Sequence, residues 1–362
     1  MANLSAATIR EACQALATLA DTTPIAGGTL TINGASLGSY DYVKKSGNQT
    51  ISAFVNADWF TTTADSVSAF VIVDGDLTIN AGQTLQPANR KLFTVIYVTG
   101  NLIINGQISM SARGANHSAS GSNIAAADIL ILPGTSIPAA GGAGAIAATG
   151  SGFIPGIVGT SGASGGSGGG GSGALRSPGT SGAGAAGTAF SGGPAGSATN
   201  GAITGGSGVA NGGAGGTAPN TPASSQAYGG GAGNPGGAGS SGGGPGTGQS
   251  GGTGTGGTLI IICLGAYSGS GTVTSAGAPG GGTSGGTAAD GGGGGSGGGS
   301  ITVFRRVHSS GPTPTALGGA GGQPVTNTTL IGGAGGNGSV RLLFIPSAVP
   351  FRRVMRFFTR RF

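Results

Sequence analysis

Between residues 141 and 300 the chain carries only two charged side chains, Arg176 and Asp290, and glycine dominates. Such a tract is either a tether or a piece of architecture. Disordered chains combine low hydrophobicity with many charges. Here charged residues make up 7% of the chain and the mean hydropathy is +0.19. A solvated coil of that length and composition would dissolve poorly, so its backbone is expected to pair with itself. Collagen is excluded, because it needs glycine at every third position and "GGGAGNPGGAGSSGGGP" (229–245) breaks that register. The tract also runs into apolar segments, as "GGGPGTGQSGGTGTGGTLIIICL" (242–264) shows. Linkers rarely end that way. Length, lack of charge and interleaved strands all oppose the linker alternative.

A short pattern recurs around the tract. "GTLTIN" (28–33), "GDLTIN" (75–80) and "GNLIIN" (100–105) share the form Gly-x-Leu-x-Ile-Asn, the last two 25 residues apart. Beyond the tract it returns without Asn as "GTLII" (257–261), "GSITV" (299–303) and "GSVRL" (338–342). Glycine lets the chain turn a tight corner. Residues two apart in a strand share a face, so each Leu/Ile pair points inward. One strand recurring behind a glycine corner is what a stacked, solenoid-like β-structure requires.

The excursions between these strands need partners of their own. An extended polyproline-II-like backbone has three residues per turn and no internal hydrogen bonds, so its N–H and C=O groups are free for neighbours. Ordering a residue costs about 1–2 kcal/mol, and a net hydrogen bond returns about 0.5–1.5 kcal/mol. A glycine lattice is therefore near break-even alone and needs apolar strands to anchor it. The expectation is an all-β fold with a short N-terminal helix (1–23), a solenoid-like strand domain (24–140), a glycine-rich polyglycine-II/β-repeat domain (141–345) and a basic tail (346–362).

In the helix, predicted over 5–20 and capped by Ser5, Ile9, Cys13, Leu16 and Ala20 share a face. Ile9 and Leu16 are docking candidates, either for the next domain or for a partner. The tail "PFRRVMRFFTRRF" (350–362) reads as a basic amphipathic helix, with Arg352, Arg353 and Phe358 as docking candidates. Docking onto an acidic protein surface is favoured there, with membrane or nucleic-acid contact and a frayed tail as the alternatives. Net charge is +6, five of it in the last eleven residues, so no global field attracts nucleic acid.

Catalytic motifs are weak. G-x-S-x-G at Gly162–Gly166 lacks a base and an orienting acid nearby; His117 and His308 stand in no catalytic context. Gly-Lys is absent, which removes a phosphate-binding loop. Asp74 and Asp76 flank Gly75 at a strand start, where aspartate commonly serves turn chemistry, with a carboxylate pair or calcium site as the alternative. Cys13 and Cys263 give neither a disulfide framework nor metal spacing. No enzyme, metal or cofactor is expected. The N-terminus has Arg10 and Glu11 where a signal peptide's apolar region would run, and no apolar run reaches a membrane span.

Large side chains in the glycine-rich half are few: Phe153, Arg176, Phe190, Tyr228 and Tyr267 are the candidate binding residues. Loops on a rigid scaffold carry binding residues, and aromatics there suit stacking on sugar rings. The alternative is that they fill gaps between lattice and strands.

The blocks "GGSGGGGSG" (165–173), "GGAGG" (212–216) and "GGGGGSGGG" (291–299), separated by variable segments, resemble the glycine-rich tip adhesins of bacteriophage long tail fibres. The resemblance covers residues 141–345. It implies an N-terminal attachment domain, stacked polyglycine-II helices, and loops that contact a host receptor. The expected function is a non-enzymatic virion protein of the tail fibre or spike, assembled in the host cytoplasm. Its partners would be other virion proteins and a host surface protein or glycan, with a homo-oligomer among the options. A purely structural virion component and a bacterial surface adhesin are the alternatives.

Overall fold

The computed structural model describes residues 6–32, 35–63, 67–115, 184, 187, 192–193, 195, 247–248, 251–252, 254–284, 292–306, 310–323 and 331–345. These residues form one α-helix and sixteen strands, a largely β fold. The helix α1 (Ala6–Ala17) and the strand β1 (Ile25–Ile32) open the chain, and β1 pairs antiparallel with β2 (Ala35–Ser46). From β2 onward the first sheet is parallel. It adds β4 (Ser68–Asp74), β7 (Thr94–Val98), β11 (Thr258–Cys263), β15 (Ser300–Arg306) and β16 (Ser339–Ile345) in that order. A second parallel sheet runs β3 (Gln49–Ile51), β5 (Leu77–Ile79), β8 (Leu102–Ile104) and β12 (Tyr267–Ser268). The third holds β6 (Thr84–Leu85), β9 (Gln107–Ser109) and β13 (Thr272–Thr274), also parallel. A short antiparallel pair joins β10 (Thr247–Gly248) to β14 (Thr283–Ser284).

Register ties the sheets together. Ala69 pairs with Thr94 in the first sheet and Leu77 with Leu102 in the second, both 25 residues on. At the next step Thr94 meets Leu259, Leu102 meets Tyr267 and Gln107 meets Thr272, each 165 residues on. The same offset in three sheets means that whole passes of the chain are laid on one another in phase.

Sequence explains the layering. β4 reads SAFVIVD and β11 reads TLIIIC, and both are buried along almost their whole length. Continuous apolar runs of this kind belong to parallel strands covered on both faces. One face of the first sheet carries Phe70, Ile72, Val95, Tyr97, Ile260 and Ile262, packed against Ile9, Ala12, Cys13 and Leu16 of α1. Phe70 meets Phe93 edge-on, with centroids 5.9 Å apart. The opposite face, with Val71, Val73, Ile96, Ile261 and Val303, shares a core with Leu77, Ile79, Leu102 and Ile104 of the second sheet and Leu85, Ile108 and Val273 around the third.

The recurrent pattern proves to occupy three places rather than one. "GDLTIN" and "GNLIIN" form β5 and β8 of the second sheet. "GTLII", "GSITV" and "GSVRL" form β11, β15 and β16 of the first. "GTLTI" (28–32) lies in β1, which stands outside the parallel stack and pairs antiparallel with β2. The first sheet also crosses residue 140, because β7 pairs directly with β11.

Corners are made by stacked glycines. A Cβ on Gly75 would lie 2.4 Å from the Gly47 carbonyl oxygen, and one on Gly265 would lie 2.3 Å from that of Gly100. Beside this column runs a ladder of side-chain bonds. Asp76 N donates to Asn48 Oδ1 at 3.0 Å, Asn101 N to Asp76 Oδ1 at 2.7 Å, and Ala266 N to Asn101 Oδ1 at 2.9 Å.

Candidate functional site

Three excursions leave the stack after the third sheet and return at the first. Two of them are described as pairs of arms, 275–284 with 292–299 and 316–323 with 331–338; of the third, the returning arm 251–257 is described in part. These arms carry no charged and no aromatic side chain. Apart from Thr283–Ser284 at the far end they are not strands, and their hydrogen bonds follow a different rule.

Along 292–299 the N–H groups of Gly293, Ser296 and Gly299 donate to Gly281, Ala278 and Ser275. Those of Gly295 and Gly298 donate to Gly333 and Gly336, and Gly297 donates to Gly193. Every third residue thus turns to the same neighbour, and successive residues turn to different ones. The other arms repeat the rule. Gly277 and Gly280 donate to Leu317 and Ala320, while Gly332, Gly335 and Gly338 donate to Gly322, Gly319 and Ala316. A β-strand can bond only to its two sides; a backbone with three residues per turn reaches neighbours all round.

Glycine is required because the arms touch through bare backbone. A Cβ on Gly292, Gly295 or Gly298 would fall 1.8, 2.1 or 2.3 Å from a carbonyl oxygen of the 316–323 arm. Where a larger residue does sit inside, it contributes bonds. Buried Ser296 accepts from Ala278 N at 2.9 Å, and buried Ser275 donates through Oγ to Gly257 O at 2.6 Å.

Each returning arm runs without a break into a first-sheet strand: Gly257 into β11, Gly299 into β15, Gly338 into β16. These glycines stack as a second column, since a Cβ on Gly299 would lie 2.0 Å from Gly257 O. The apolar strands therefore hold the near end of the arms. At the far end the arms also meet. Gly282 lies against Gln323, Gly292 against Gly322, and Thr283 pairs with Gly248.

The predicted site residues are placed as follows. Tyr267 is fully buried, and its hydroxyl donates to Pro312 O at 2.7 Å; burial pushes its phenol well above the ordinary value. Its ring fills the inner slot that leucine fills at Leu77 and Leu102, so it is a packing residue and offers no surface to a ligand. Ile9 and Leu16, 2% and 1% exposed, pack into the chain's own core, the next-domain option of the two that the sequence left open. Phe153, Arg176, Phe190, Tyr228, Arg352, Arg353 and Phe358 lie outside the described residues, as do His117 and His308. Asp74 accepts from Thr99 Oγ1 at 2.9 Å and Asp76 holds the Asn101 corner, so both carboxylates serve turns. No group of three or more His, Cys, Asp or Glu side chains could hold a metal among the described residues. No helix among them is long and apolar enough to cross a membrane.

One polar cluster is invisible in the sequence. Lys91, fully buried, places Nζ 2.7 Å from Asp41 Oδ2, and Thr61 and Thr63 donate to the same carboxylate. Burial pushes the Asp41 carboxyl up, but the bonds from Lys91, Thr61 and Thr63 and the ammonium charge outweigh it and hold its pKa below the ordinary value. Gly27 N completes the set at 3.1 Å from Oδ1. This cluster fastens β1 and the 61–63 segment to the stack; every group in it is engaged. No known protein family, curated protein or solved structure matches the chain.

Proposed function

We propose that the three parallel ladders are the sides of a β-solenoid and that the arms at its corner form a polyglycine-II lattice. On that frame, the protein is a non-enzymatic phage virion protein of the tail fibre or spike, an adhesin that reads the host surface through the segments joining its glycine arms. The observation that carries this reading is the period-three bonding of 292–299 to several neighbours at once. Bonding all round makes a rod-like bundle stiff in every lateral direction, which a single sheet is not. Stiffness is what a receptor-reading tip needs, because ordering a floppy loop on binding costs affinity. The meeting of the arms at one end, at Gly282, Gly292 and Gln323, supports a single presenting end. The joining segments 285–291 and 324–330 start from that end. They carry Thr287 and Asp290 in the one and Thr326, Asn327, Thr328 and Thr329 in the other, side chains suited to hydrogen bonding with a glycan or a protein loop.

The bare character of the arms also supports a second reading, a structural virion component that recognises nothing. One experiment separates the two. Segments 285–291 and 324–330 are both replaced by Gly-Ser repeats of equal length, and adsorption of the purified protein to host cells is measured beside particle assembly. Loss of adsorption with intact assembly supports the adhesin. Unchanged adsorption sinks it, and failed assembly with unchanged adsorption favours the structural component.

A further inference from the structure

The first sheet outruns the sheets that share its core. Among the described residues the second sheet ends at β12 and the third at β13, with one bridge from Thr274 to Thr315 beyond it, while the first continues through β15 and β16. Val340, Leu342 and Phe344 pair in register with Ile301, Val303 and Arg305, so they face the shared core. Ile301 and Val303 are fully buried, but Val340 is 36% and Phe344 47% exposed, with Leu342 packed against the core's rim. The Arg305 guanidinium lies over the Phe344 ring at 5.2 Å. At the opposite end the same core is closed by Ile51, Trp59 and Phe60. One end of the stack is sealed, and the other shows an apolar row.

We propose that this row is covered by the chain's own residues 346–362, which follow β16 directly and run once more along the second and third sheets. The first argument is length. From the end of β4 to the end of β6 the chain uses eleven residues, and it uses eleven again from β7 to β9 and from β11 to β13. Seventeen residues follow Ile345, enough for one such pass. The second argument is composition. The segment supplies Val349, Phe351, Val354, Met355 and Phe358 to set against Val340, Leu342 and Phe344, while its five arginines stay in water. Apolar row meets apolar segment, and no other partner is needed. The role of the basic tail is then to cap this chain, in place of the acidic partner surface that its charge suggests.

Trypsin tests this on the full chain, because Arg352, Arg353, Arg356, Arg360 and Arg361 are all cleavage sites. Native protein is compared with the variant Val340→Asp/Phe344→Asp, which alters two positions that are already partly exposed. Release of the tail is expected to be at least tenfold slower in the native protein. Equal rates overturn the proposal. So does protection that vanishes on dilution, which would make a second copy the occupant. Amide exchange in the unmutated chain gives an independent reading. A tail laid on the second and third sheets exchanges slowly within 346–358, and random-coil rates throughout that segment overturn the proposal.

Discussion

Gly338 lies so close to Gly299 that a Cβ on the first would sit 1.6 Å from the carbonyl oxygen of the second. The obstructing atoms are backbone, on an arm held from several sides, so they have nowhere to move.

Gly338→Ala and Gly295→Ala are therefore each expected to destabilise the protein by about 3 kcal/mol, the upper range for overpacking. Gly82→Ala is the control. Gly82 has nothing within 4 Å and φ of +79°, so the added methyl meets only backbone strain. That costs about 1 kcal/mol. Urea midpoints of the three variants measure the contrast.

The threefold bonding rule makes a prediction about insertions. Three glycines added after Gly277 and three after Ser296 keep each residue facing its former class of neighbour. One glycine at each site keeps the two arms paired with each other but turns their outer ends by a third of a turn. Amide exchange across 278–282 and 292–296 is expected to stay slow in the first variant and to rise at least a hundredfold in the second. Equal exchange in both would show that the arms do not depend on phase.

Acid is expected to loosen the Asp41–Lys91 cluster. Because the folded-state pKa of Asp41 is lowered, its contribution is complete above the unfolded value of about 3.9 and disappears as pH falls through the lower folded value. Stability should thus fall steeply below pH 4, and Asp41→Asn should flatten that slope. Lys91→Met strands the carboxylate and should cost about 3–5 kcal/mol at neutral pH. Urea midpoints between pH 3 and 7 test both.

The fold was partly legible because its spacing is partly regular. Leu77 and Leu102 sit behind Gly75 and Gly100, so two passes announce themselves 25 residues apart. The passes before and after share the corner but not the motif. Gly47 leads into Gln49 where the others have leucine, and Gly265 leads into Tyr267. What the corner needs is a missing Cβ, and the inner slot accepts several shapes, so neither pass looks like a repeat. That the glycine-rich segments pair with one another was legible from composition, but not which arms bond to which, since bare backbone carries no address. Asp41 and Lys91 lie 50 residues apart in unrelated contexts, and only the stacking of β2 near the approach to β7 brings them together.

The ladder keeps step whether one rung and the next lie 25 or 165 residues apart in the chain. The exit after the third sheet therefore behaves as a port whose cargo the frame does not measure. Loop-closure entropy grows only with the logarithm of length, so enlarging what hangs there adds little strain to the rungs on either side. Diversity in this molecule can accumulate outside the frame while the frame itself stands still.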